Sequence, residues 1–196
     1  MPEPLVDSGT EVARIAAARR RHGHALGLAW FDAHGSLHAP RGPARHGTAL
    51  AAVMGLGDPE FVASPRIGGG RVALIGARKL GVLEWRHVWE GRVRHLTVAA
   101  ARRASVVSNC LLETDADEVY VHIGLDVLDP AEFAGAERPE SGGMKVAEVV
   151  TAVRAIAAAL PIIGAGITGC ATTDPEQLRR LEPLLDVVGE VCGLRS

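Results

Sequence analysis

The sequence predicts an α/β fold, a three-layer arrangement in which helices cover both faces of a mostly parallel sheet. Two observations carry this expectation. Apolar, β-rich runs alternate with helical segments along the chain, the order expected of βαβ units. Two of those runs, 25–31 and 119–127, also end in acids and histidines, at the carboxyl ends of strands where such sheets collect ligands.

The elements follow in order. Ser8 and Glu11 have the spacing of a capping box, and Val12, Ile15 and Ala16 recur at helical intervals behind them. Gly23 ends that helix. The run Arg19-Arg20-Arg21 occupies its last turn, where cations favour the helix dipole and a solvated face accounts for them. A strand over 25–31 precedes a Pro- and Gly-rich loop over 39–47 and a short helix over 48–54. Gly68-Gly69-Gly70 lacks phosphate-loop spacing and reads as a turn before a strand over 72–76. A strand over 93–98 and an alanine-rich helix over 99–112 come next. The strand over 119–127 leads into an acidic, Gly-rich loop that reaches Gly143. A helix over 145–160, a strand over 162–168 and a last helix complete the order. Asp174 as N-cap and Pro175 at the first helical position start that last helix.

Side chains two apart in a strand share a face, so Asp32, His34 and Ser36 point together. A carboxylate and an imidazole so placed suit a divalent metal; the alternative is a polar strand end that meets water. By the same period His122, Gly124 and Asp126 share a face. His122 reads first as a hydrogen-bonded core histidine. Asp126 inside an apolar run needs a cation, a metal or a donor beside it.

Composition bounds the rest. The 196 residues form one domain, with 47% hydrophobic residues and a net charge of -2, so neither nucleic acid nor an anionic membrane is expected as partner. Lys79 and Lys145 are the only lysines, and the arginines are scattered. Cys110, Cys170 and Cys192 are too few and too widely spaced for a disulfide framework or a usual structural zinc site. Met1-Pro2-Glu3-Pro4 has no signal-peptide character, and no apolar stretch reaches membrane-span length. A soluble, cytoplasmic protein is the expectation.

Taken together, these motifs resemble the arginase–agmatinase (ureohydrolase) family. Its members carry Asp-Ala-His-x-Asp-x-Asn, a His-Gly loop, an Ile-Gly-x-Arg strand, Ser-x-Asp-x-Asp-x-x-Asp-Pro, and Pro-x-x-Gly-Gly followed by a Glu. The matches are Asp32-Ala33-His34, His46-Gly47, Ile75-Gly76-Ala77-Arg78, Asp126-Val127-Leu128-Asp129-Pro130, Pro139 with Gly142-Gly143, and Glu148. The resemblance covers about residues 25–170 and implies an arginase-like fold, a manganese centre and hydrolysis of a guanidino or amidino C–N bond through a metal-activated hydroxide. It also implies that the family's usual N-terminal segment has no counterpart here, and that the protein is a homo-oligomer.

Departures shape the expected site. Ser36 stands at the second Asp of the first motif, Gly124 at the bridging Asp of the later one, and no histidine lies near 8–10. The metal ligands left by the resemblance are Asp32, His34 and Asp126, which implies one Mn ion rather than two. His38, His122 and Ser36 are accessory candidates, and His38 replaces a substrate-contacting Asn. The resemblance assigns His46 as the proton shuttle and Glu148 as the guanidinium-binding carboxylate, with a small guanidino or amidino compound as substrate. The alternative is an inactive member serving as a binding or assembly module.

Overall fold

The computed structural model describes residues 8–39 and 47–193. Five parallel strands form one sheet in the order β3-β2-β1-β4-β5, where β1 is Leu26–Phe31, β2 Val72–Ile75, β3 Arg94–Leu96, β4 Glu118–Gly124 and β5 Ile162–Thr168. Every neighbouring pair is parallel. The helices are α1 (Ser8–His22), α2 (Ala49–Val53), α3 (Val82–Trp89), α4 (Val98–Ala101), α5 (Ala104–Leu112), α6 (Val146–Ala159), α7 (Pro175–Arg179) and α8 (Glu182–Val191).

Period two divides the strands between two cores. Phe31, Ile75, Val121 and Ile123 join α5, α6 and α8 on one side. Leu28, Trp30, Leu74 and Tyr120 join α1 and α2 on the other. Both faces of β1, β2 and β4 are therefore buried, which is why those segments read as apolar runs. At the sheet edge, six of the seven residues of β5 are only half-buried. No helix among the described residues is long and apolar enough to cross a membrane.

Several expectations change in detail. The segment 99–112 is two helices broken at Arg102 and Arg103, and α3 is a further helix between β2 and β3. Arg19 is buried rather than solvated: its Nε donates to the Arg66 carbonyl at 3.1 Å and its guanidinium reaches His24 Nδ1 at 2.8 Å. The expected capping box is not formed as read, since α1 already begins at Ser8, and the Glu11 side chain is wholly buried against β4. By contrast, Asp174 caps α7 as expected, accepting from Glu176 N at 3.0 Å.

Candidate metal centre and cleft

β1 stops at Phe31; the chain then bends at Ala33, and His34 makes only an isolated parallel bridge with Lys79. Ser36 takes a left-handed conformation (φ 52°) there, so the shared face expected of Asp32, His34 and Ser36 is replaced by a local cradle. Ser36 Oγ donates to Asp32 Oδ2 at 3.2 Å, Trp30 Nε1 to the same oxygen at 3.1 Å, and His34 N to Oδ1 at 2.7 Å. Beyond β4, a 3₁₀ turn over Leu125–Val127 re-aims Asp126 toward that cradle. Asp126 Oδ1 accepts from Ala33 N at 3.2 Å, and Oδ2 lies 2.8 Å from His34 Nδ1.

Asp32, His34 and Asp126 thus converge, each with a ligating atom within 4.8 Å of the others. Two carboxylates and an imidazole facing one point match the donor set of a divalent transition ion. Hydrogen bonds from the surrounding chain fix both carboxylates, as outer-shell partners do in metal sites. Glu140 Oε1 lies 3.9 Å from His34 Nε2, on the far side of the ring.

The His34 imidazole sits between the two carboxylates, 2.8 Å from Asp126 Oδ2 and 3.5 Å from Asp32 Oδ1, and they favour its protonated form. Its bond to Asp126, then that to Asp32, raises His34 to about 9. Burial, then the Asp32 charge, pushes Asp126 up. Burial alone would raise Asp32 too, but bonds from the His34 ring and backbone and from Trp30 bring it below its usual value. An ion taken up by Nδ1 must displace that proton, because only the neutral imidazole offers a lone pair. Metal affinity should therefore rise with pH, falling roughly tenfold per unit as the pH drops from 9 toward 6. Competition titrations with a chelating dye at several pH values check this; a flat profile contradicts it.

The cluster opens into a cleft of about 40 Å³ lined by Trp30, Asp32, His122, Asp126, Arg138 and Thr168, among others. The other anticipated residues are placed differently. His122 lines the cleft but lies outside the donor cluster, its Nδ1 3.2 Å from Glu11 Oε1. His38 is half exposed and faces Glu84 at 3.6 Å. Glu148 caps α6: its Oε2 accepts from Lys145 N at 2.9 Å, and its Oε1 pairs with Arg102 at 3.2 Å. Its position at the third residue of α6 explains this, since carboxylates there bond the free N–H groups of the first turn. His46 lies outside the described residues.

A profile of the arginase family matches residues 7–177. The chain belongs to the arginase family. Its relatives include the arginase of Bacillus caldovelox, 31% identical over 177 residues that cover 83% of this chain and 59% of that one. The arginase of Bacillus subtilis (strain 168) is 32% identical over 159 residues, covering 74% and 53%. Among solved structures, the native Bacillus caldovelox arginase superposes with a TM-score of 0.81 at 27% identity, covering 95% of this chain and 66% of that one. The Bacillus cereus arginase gives 0.80 at 26%, covering 95% and 69%. The chain spans little more than half the length of the curated relatives named here.

Two supports of this arginase-family site have a structural task that the linear sequence does not reveal. Arg78 threads between the cluster and the loop after β4, donating to the carbonyls of Gly76 (3.1 Å), Asp126 (2.9 Å), Glu140 (2.6 Å) and Ser141 (2.9 Å). Glu84, buried in α3, accepts from Leu37 N at 3.1 Å and Gly81 N at 2.8 Å and so pins the turn that carries His34. A Cβ at Gly35 would collide with that carboxylate. The Ile-Gly-x-Arg motif marked Arg78, although its structural task is set by carbonyls that no residue pattern encodes.

Proposed function

We propose that this chain is a divergent ureohydrolase-type metalloprotein with a single-ion site formed by Asp32, His34 and Asp126. The reaction is hydrolysis of a guanidino or amidino C–N bond, and manganese is the ion proposed. The observation that carries the reading is the meeting of those three donors at one point, at the carboxyl end of the central strands. Family membership supports the same reaction class. A bound divalent ion supplies Lewis acidity and lowers the pKa of water. The chain's own groups do the rest. Trp30 and Ser36 hold Asp32 in orientation, and Ala33 N holds Asp126. The acidic cluster attracts a cationic amidine, and the leaving amine departs only once it has gained a proton. His46 remains the residue proposed to carry that proton.

A second reading is a binding module without turnover. Arg138 favours it, because the cleft wall then holds a cation of the chain itself near the acids that would attract a substrate cation. Gly124 and Ser36, where the family has carboxylates, point the same way. Assaying urea and ammonia release from a panel of guanidino compounds, with and without added Mn, separates the two. Mn-dependent release that is lost in His46→Ala supports hydrolysis. Stoichiometric Mn uptake with no release from any compound supports the binding module.

A further inference from the structure

The cleft holds a second group of side chains outside the Asp32, His34 and Asp126 donor cluster. Trp30, His122 and Gly166 form one row across β1, β4 and β5. The Trp30 and His122 rings stack with centroids 3.6 Å apart and planes 18° apart, which fixes the imidazole plane. Gly166 leaves the space above β5 empty; a Cβ there would collide with the Glu11 carboxylate. Glu11 descends from α1 into that space, is wholly buried, and sets Oε1 3.2 Å from His122 Nδ1. Its Oε2 is also sealed from solvent. Thr168, two residues beyond Gly166 and on the same face, brings Oγ1 within 3.5 Å of His122 Nε2. Both His122 and Thr168 line the cleft.

We propose that Glu11, His122 and Thr168 form a proton relay that serves the cleft. An ionised carboxylate only accepts, so Glu11 holds a proton on Nδ1 and leaves the Nε2 lone pair facing Thr168 and the cleft. Nε2 takes a proton from an O–H or N–H group of a small polar molecule seated beside Thr168. The imidazolium so formed stays paired with Glu11, and the proton then returns to the departing or regenerated group. A buried carboxylate is costly without such a partner, and His122 is a basic side chain in contact with it. The arrangement is that of a carboxylate orienting an imidazole whose far nitrogen faces a hydroxyl. It stands whether or not an ion is taken up by Asp32, His34 and Asp126.

Other charged groups face the same region. Asp32, Asp126, Glu137 and Arg138 line the same cleft. Tyr120 faces Glu11 from the same strand; burial, then the Glu11 charge, pushes its phenol up. The test therefore reads individual nitrogens in the full chain after treatment with EDTA. Histidine labelled with ¹⁵N is observed by NMR, and His122→Gln assigns the His122 signals. The expected result is a protonated Nδ1 and an unprotonated, hydrogen-bonded Nε2, with Nε2 alone gaining a proton on acidification. Thr168→Val should shift the Nε2 signal and leave Nδ1 unmoved. Glu11→Gln should admit the other tautomer, because an amide also donates. An Nε2-protonated neutral ring in the parent chain, or an Nε2 signal unmoved in Thr168→Val, overturns the relay. Neither result bears on metal uptake or urea release, so this inference and the metal reading fail separately.

Discussion

Asp126→Asn should abolish stoichiometric Mn uptake while the chain remains folded. Asparagine keeps the shape of the side chain and an oxygen for the Ala33 N–H at 3.2 Å, so the local turn survives. The negative charge that the ion and His34 both need is lost. Even outer-shell changes reduce metal affinity about 10- to 100-fold, so losing one of three protein ligands should exceed about 100-fold. The same change removes the interaction that contributes most to raising His34, whose titration should fall from about 9 toward its ordinary value of 6.5. Calorimetric titration with Mn, alongside ¹⁵N-histidine NMR, reads both effects. Glu148→Gln serves as the control, since its carboxylate is spent on Lys145 N and Arg102 and uptake should not change. Unaltered uptake in Asp126→Asn would sink the single-ion site.

Arg78→Met should give the largest loss of stability among single changes near the site. The Arg78 guanidinium donates to the carbonyls of Gly76, Asp126, Glu140 and Ser141, and Val127 and Leu128 lie at the edge of its reach. Methionine fills much of the volume and supplies no donor. A carbonyl left unsatisfied costs about 1–3 kcal/mol where water cannot replace the donor. Partial access of water to this half-buried position brings the total to on the order of 3 kcal/mol, or about 10 °C in Tm for a chain of this size. Lysine should rescue little, because one ammonium cannot span carbonyls spread over two loops. Thermal melts and urea titrations measure the loss; a change in Tm under about 2 °C would contradict the clamp.

Much of the fold is legible in the chain. Strands β1, β2, β4 and β5 follow from apolar runs bounded by Gly, Pro and Asp, and α6 from its long helical periodicity. The limits of 162–168 agree residue for residue with β5. The expected single helix over 99–112 divides at Arg103, whose backbone is extended (φ -93°, ψ 97°), and periodicity over a short window does not resolve such a break. The candidate site is legible in part. Asp32, His34 and Asp126 stand out because acids and histidines are unusual at the ends of buried strands. Glu148 is not decided by sequence, because a Glu opening a helix after Gly-Gly has the same local pattern whether it caps the helix or faces a cleft.

The sequence alone determined the layered architecture, the order of its motifs and the three residues with metal-binding chemistry, since period, turn residues and side-chain type are local properties. Tertiary structure decided how those residues meet. The turn at Ser36 and the 3₁₀ turn at Asp126, both outside any regular strand, converge on one point because Arg78 and Glu84 hold their loops from distant elements. Tertiary structure also turned Glu11 from an expected cap into the partner of His122, through a packing of α1 over Gly166. Contacts between residues 111 apart depend on how the layers stack, and no periodicity along the chain records that.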